Sequence, residues 1–244
     1  MNGPEILFLV SLLCVAFLYS SVGHGGASAY LAIMALFSYN HETMRSTALV
    51  LNIFVSAIAF YQYYRAGHFN WDLFWPFALA SIPASFLGGM ITLDENIYKK
   101  ILGVLLLFSV ARLLFSSKQS DSDIQKPKLI ISLFVGLIIG LISGIIGIGG
   151  GIILSPLILL MNWAKIKSTA AVSALFIFVN SLSGLLGNAM NGIQLDESIN
   201  LMVIVALIGG FCGSYVGSSK FNTFHLKMLL SLVLLIATIK LFTT

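Results

Sequence analysis

Two glycine clusters set in apolar sequence are the residues most able to do chemistry: Gly23-His24-Gly25-Gly26 and Gly147-Ile148-Gly149-Gly150-Gly151. An unbroken helix satisfies its own backbone inside a membrane, whereas a glycine break frees N–H and C=O groups that must be buried in protein or turned to a ligand. The helix that restarts after a break points its free N–H groups and partial positive charge inward, which suits an anion. Glycine also accepts positive φ and lets a ligand come close to the backbone. Gly25, Gly26, Gly149, Gly150 and Gly151 are therefore candidate substrate ligands. His24 joins them as the titratable residue within a break, able to donate to an anion or to carry a coupling proton. The same glycines would also permit close helix crossing, although four glycines in the five positions 147–151 exceed that need.

The stretches after the breaks carry sparse polar residues at helical spacing. Asn52, Ser56 and Tyr63 share one face, as do Ser173, Asn180, Gly184 and Gly187. Such stripes should turn away from lipid, and Asn52 and Asn180 are the preferred side-chain ligands. Arg45 and Lys167 either guide anions toward opposite mouths or anchor their helices at the interface. Trp71, Trp75 and Trp163 read as an interfacial belt, and Cys14 and Cys212 as small core residues.

Other chemistries fit poorly. A phosphate-binding loop needs Lys and then Ser or Thr after its last glycine, but Ile152 and Ile153 follow Gly151. No CxxC spacing or His/Cys metal cluster occurs, and the acidic residues Asp72, Asp94, Glu95, Asp196 and Glu197 fall at segment ends, so neither an enzyme nor a cofactor is expected. The formal charge of +4 comes from scattered basic residues and indicates no nucleic-acid partner.

The elements that must position these residues follow from composition. Of the 244 residues, 58% are hydrophobic and 9% charged, more apolar surface than a water-soluble domain can cover. Apolar runs fall at about 6–37, 44–64, 72–92 and 97–116, and again at 129–161, 168–189, 198–217 and 224–242. The polar stretch 117–128 separates them as a linker. Residues 1–116 and 129–244 thus read as two repeats of one membrane domain, matched also by Arg45-Ser46-Thr47-Ala48 against Lys167-Ser168-Thr169-Ala170. Ala27-Ser28-Ala29 resembles a signal-cleavage site, but no Lys or Arg precedes it, so residues 1–37 are kept in the mature protein.

The run 6–37 would make a helix of ~48 Å, too long for a hydrocarbon core of ~30 Å, so it should fold back at its glycines. With re-entrant hairpins at 6–37 and 129–161, Arg65, Arg112, Lys118, Lys126, Lys128, Lys165, Lys167, Lys220 and Lys227 lie on one side. Arg45, Lys99, Lys100 and Lys240 lie on the other. Eight simple crossings would divide the same residues almost evenly. The positive-inside bias favours the hairpins, with linker 117–128 cytoplasmic and both termini outside. The expected fold is an all-α polytopic membrane protein of two inverted repeats, each a Gly-broken re-entrant helical hairpin plus three transmembrane helices.

These residues resemble the TauE/SafE family of membrane permeases, the sulfite exporter or TSUP family. The resemblance rests on Gly147-Ile148-Gly149-Gly150-Gly151 with Ser155-Pro156 after it, on the degenerate copy Gly23-His24-Gly25-Gly26, and on Ser168-Thr169-Ala170. It implies a bacterial inner-membrane permease for small sulfur-containing anions such as sulfite or organosulfonates, commonly exporting them. The expected partners are that anion, the lipid bilayer, a coupling ion (H+ or Na+) and, in some arrangements, further copies of the chain. Two other readings share the same scaffold: a passive anion channel, and a permease for a carboxylate or other small anion.

Overall fold

The computed structural model of the chain describes residues 3–21, 25–114, 124–218, 234–236 and 238–243. Gly23 and His24, linker residues 117–123 and most of the last apolar run, 224–242, lie outside the described residues. Among the described residues the fold is all helical. The elements are α1 (Gly3–Ser20), α2 (Ala27–Leu36), α3 (His41–Arg65), α4 (Trp71–Met90), α5 (Glu95–Leu114), α6 (Leu129–Ile146), α7 (Gly151–Leu160), α8 (Ile166–Ala189) and α9 (Ile199–Ser218), and residues 238–243 are helical as well. Helices α1, α3, α4, α6 and α8, with Ile199–Gly217 of α9, are long and apolar enough to cross a membrane.

The glycine breaks separate α1 from α2 and α6 from α7, and the chain turns back at both. The Phe8 ring lies 5.3 Å from that of Phe37 and 5.5 Å from that of Tyr39, so the segment ends where it began. In the second segment the Gln125 amide donates to the Asn162 carbonyl at 3.1 Å. The arms are unequal: α1 and α6 have 18 residues each, α2 and α7 only 10. At 1.5 Å per residue the short arms reach about 15 Å, half a bilayer core.

Loop contacts sort the molecule into two ends. One end gathers Phe8, Tyr39, Glu42 and Gln194, the last two joined by a hydrogen bond. Asn191 donates to the Met90 carbonyl there at 2.6 Å, and Lys240 to the Leu36 carbonyl at 2.8 Å. The Tyr39 hydroxyl is pushed up by burial and then by Asp196. The other end holds Gln125, Asn162 and the exposed pair Lys126 and Asp72, 3.7 Å apart. His68 also sits there, its imidazole held below the usual histidine range by burial and then by the charge of Lys167. Helix α1 runs from the first end toward the second, where the Ser21 carbonyl accepts from the Tyr63 hydroxyl at 3.2 Å. Helix α6 runs the opposite way, and its Ile146 carbonyl accepts from Tyr98 at 2.9 Å.

Small residues bring the long helices together. On α6, Gly136, Gly140 and Gly144 rest on the carbonyls of Phe77, Ser81 and Ser85 in α4. On α9, Gly209 and Gly213 rest on the carbonyls of Leu13 and Phe17 in α1, and Gly217 on that of Ser21 just past its end. Both pairs run parallel at four-residue spacing, the contact pattern of closely packed membrane helices. Helices α3 and α8 pass between these pairs. Asn40 and Asn70 cap α3 and α4 by accepting from the Thr43 and Leu73 amides at 2.8 and 3.2 Å. Pro76 and Pro83 sit within α4 without ending it.

Candidate functional site at the paired helix breaks

Helices α2 and α7 begin without the side-chain caps that α3 and α4 have. Their N-cap residues are Gly26 (φ 97°) and Gly150 (φ 78°), both left-handed, and neither supplies a side-chain cap. Gly147 and Gly149 also have positive φ, at 87° and 72°. A side chain is strained in that region, so all four of these positions require glycine for their conformation alone. Both helix starts are buried, which leaves the free N–H groups of their first turns inside the protein.

The two breaks meet across α3 and α8. A Cβ built on Gly25 would stand 2.7 Å from Asn52 Oδ1 and 2.9 Å from Ile177 Cγ2. One built on Gly149 would stand 2.8 Å from the same Ile177 methyl, and 2.9 Å from both Asn52 Nδ2 and Ser181 Oγ. The Asn52 amide therefore lies between the breaks, with Oδ1 toward Gly25 and Nδ2 toward Gly149. Gly26 faces the hydroxyl end of Tyr30, Gly150 faces Ile139 and Phe176, and Gly151 faces Ile177.

Asn52 is fully buried, and neither its oxygen nor its nitrogen has a hydrogen-bond partner among the described residues. The same holds for Tyr30 Oη, Ser181 Oγ and Asn180 Oδ1, and for the hydroxyls of Ser20, Thr47, Ser143 and Thr169. Of these, Asn52, Ser181 and Tyr30 stand against the break glycines. Each unsatisfied buried group costs about 1–3 kcal/mol, a cost that a polar ligand would relieve. Asn180 donates through Nδ2 to the Phe176 carbonyl at 2.8 Å, and its own carbonyl accepts from Ser85 at 2.8 Å.

Comparison with known proteins covers nearly the whole chain. The model of the sulfite exporter TauE/SafE family matches residues 7–241. The chain belongs to the TauE/SafE family. Within reach of that family are two curated relatives whose names are those of probable membrane transporters. One, from Sinorhizobium fredii, is 34% identical over 99% of both chains. The other, from Methanocaldococcus jannaschii, is 25% identical over 94% of both. No solved structure is significantly similar. This TauE/SafE chain is thus a probable membrane transporter with several helices able to span a bilayer.

The sequence-predicted residues divide clearly in space. Gly25, Gly149 and Asn52 come together, with Gly26, Gly150 and Gly151 forming the starts of the two short arms. Asn180 lies one residue from Ser181 on α8, its oxygen still unpartnered. His24 lies outside the described residues. Ser181, Ile177 and Tyr30 are additions. Ile177 lies about 40° around the helix from Ser173, a signal the helical spacing carried, whereas Ser181 lies about 100° from Asn180 and carried none, as was also true of Tyr30.

Arg45 is placed differently from the interfacial expectation. It is buried rather than set in the lipid interface, with its guanidinium donating to backbone carbonyls. Nε and Nη2 reach Gly144 at 3.1 and 2.8 Å, Nη2 also reaches Gly88 and Gly89 at 2.9 and 2.6 Å, and Nη1 reaches Ile91 at 2.8 Å. The converging ends of α4 and α6 present free carbonyls and negative dipole ends, which a planar five-donor cation matches. Arg45 also borders a cleft at the first end with His41, Tyr98, Asn188 and Asn191. An adjoining cavity of about 330 Å³ lies between Tyr39, Glu95 and Lys240.

Two further expectations change. Trp163 is buried, its ring 5.8 Å from that of Phe77, whereas Trp71 and Trp75 are exposed as belt residues would be. Cys14 and Cys212 are exposed, because α1 and α9 meet through Leu13, Phe17, Gly209 and Gly213 and leave the cysteines on outer faces.

Proposed function

We propose that this protein is a secondary transporter of small sulfur-containing anions such as sulfite or organosulfonates, working as an exporter by alternating access around the paired breaks. The observation that carries the reading is the meeting of two uncapped, buried helix starts across an unpartnered Asn52. Helix starts and amide donors replace the water around an oxyanion, and the family supplies its sulfur chemistry. The substrate ligands in this reading are Gly25, Gly26, Asn52, Gly149, Gly150, Gly151 and Asn180, with His24 as a ligand and the carrier of a coupling proton.

The halves 1–116 and 129–244 act as inverted copies in one membrane domain. Support comes from the opposed directions of α1 and α6, and from the matching of the α1–α9 contact by the α6–α4 contact. Lysine and arginine distribution supports an inner-membrane placement with residues 117–128 in the cytoplasm and both termini outside. A passive channel would need a continuous wet path, and the packing of Gly25 and Gly149 on Asn52 and Ile177 favours alternating access instead.

Reconstituted vesicles test this directly. Sulfite flux should saturate and respond to an imposed proton gradient, and His24→Gln should remove the gradient response. Unsaturable, gradient-independent current would instead identify a channel. Flux of carboxylates with none of sulfur anions would overturn the substrate class.

A further inference from the structure

The polar groups at the breaks are an uneven set, and the imbalance restricts the ligand. Ser181 and Tyr30 each bring a hydroxyl that can donate, the two helix starts bring N–H groups, and Asn52 Nδ2 adds two more donors. These suit the oxygens of an oxyanion. Asn52 Oδ1 is different. It is an acceptor, fully buried, directed toward Gly25 on the side away from Ser181, and no described residue donates to it. An oxyanion bearing no hydrogen would place its negative oxygens against that acceptor.

Charge points the same way. The side chains nearest Gly25, Gly26, Gly149, Gly150 and Gly151 are Asn52, Ile177, Ser181, Tyr30, Ile139 and Phe176, none with a formal charge at neutral pH, whereas Gly147 meets Arg45. The positive charge of Arg45 is set against the negative dipole ends of α4 and α6, to whose carbonyls its guanidinium donates, and is offset there. The positive potential then comes from two helix starts of roughly half a charge each, which together balance about one negative charge.

We propose that the site selects a monoanion that still carries a hydrogen-bond donor, such as hydrogen sulfite, with that donor given to Asn52 Oδ1 and its oxygens held by Nδ2, Ser181, Tyr30 and the helix starts. This rests on the sulfur-anion reading above. It goes beyond it by assigning opposite tasks to the two ends of one amide and by excluding dianions as the bound form.

Three small anions separate the terms. Sulfamate and methanesulfonate have the same charge and nearly the same shape, but sulfamate carries N–H donors where methanesulfonate carries a methyl group. Sulfate is a dianion without a donor near neutral pH. Each is titrated against the purified full-length protein at one pH, by calorimetry and by competition with sulfite flux in vesicles. Sulfamate should bind at least about tenfold more tightly than methanesulfonate, since a site built to pair a donor rejects the analogue lacking it. Sulfate should bind more weakly than sulfamate. Asn52→Leu should bring sulfamate and methanesulfonate to the same affinity, and Asn52→Ala serves if the leucine variant does not fold. Equal binding of sulfamate and methanesulfonate by the unaltered protein, or sulfate binding as tightly as sulfamate, overturns this inference and leaves sulfur-anion transport standing. Binding of a carboxylate with none of the three sulfur anions overturns both.

Discussion

The two halves repeat the same backbone device and surround it with different side chains. Gly26 and Gly150 play the same part, each a left-handed residue from which a 10-residue helix starts without a side-chain cap. Around the first, the contacts are polar: Tyr30 folds back over Gly26, and Tyr19 bonds Ser28 at 2.8 Å. Around the second, Gly150 meets only the apolar Ile139 and Phe176, while Gly149 beside it meets Asn52 and Ser181. The matched positions Arg45 and Lys167 diverge further, one buried among carbonyls and the other exposed at the opposite end. What the halves keep in common is therefore the presentation of backbone amides. What they no longer share is charge placement and the side chains over the left-handed residue that starts each short helix.

The largest effect expected from probing this difference is at Gly149. Gly149→Val combines a forbidden φ of 72° with collisions on Ile177, Asn52 and Ser181. Transport should fall by about 100-fold or more, as expected when reacting groups are displaced by an ångström, while the protein still elutes as a folded species. Gly25 has no positive φ, so Gly25→Ala offends only the Asn52 amide and Ile177. Its loss of thermal stability should be partly recovered in the double variant with Asn52→Ala, whereas the same partner should recover little for Gly149→Ala. Equal recovery in both would erase the distinction between conformational and contact demands.

Next in size comes Arg45. Arg45→Met takes the arginine donors from the carbonyls of Gly89, Ile91 and Gly144 and leaves Gly88 only the Ile91 amide, and should cost about 3 kcal/mol of stability. A denaturation series in detergent would show it. Lys167→Met, at the matched position, should stay within about 0.5 kcal/mol, as exposed substitutions generally do. Comparable losses would mean that the two residues still do the same job.

The smallest expected effect is a titration. His68 is held below the usual histidine range by burial first and by Lys167 second. Removing the lysine charge leaves burial in place and relieves the repulsion of the protonated ring, so Lys167→Met should move the His68 midpoint upward. Proton resonances of the ring followed against pH would show it, and an unmoved midpoint would separate the loops that the fold brings together.

Much of this arrangement was legible in the sequence where one physical rule dominated. Segment length against bilayer thickness required the chain to fold back, and the contacts of Phe8 with Phe37 and of Gln125 with Asn162 show it doing so. The helical stripe picked out Asn52, because a lone amide in an apolar helix has few places to face. Arg45 was not legible in this way. Near a helix start, an arginine at the interface and one reaching buried carbonyls look alike until Gly144 and Gly88 are known to converge beside it. Trp163 failed for the same reason, since its burial depends on Phe77 from a distant helix. Ser181 stands about 100° around α8 from Asn180, off the chosen stripe, and only the approach of Gly149 distinguishes it from other small polar residues on α8.

The central claim is that both breaks and the amide between them hold one anion. An experimental structure of the protein with bound sulfamate tests it most directly. The account predicts the anion between Gly25 and Gly149, with Asn52 and Ser181 at hydrogen-bond distances of about 3 Å and the starts of α2 and α7 directed at its oxygens. An anion seated instead in the cleft beside Arg45, with Gly25 and Gly149 still closed on Asn52, would contradict it.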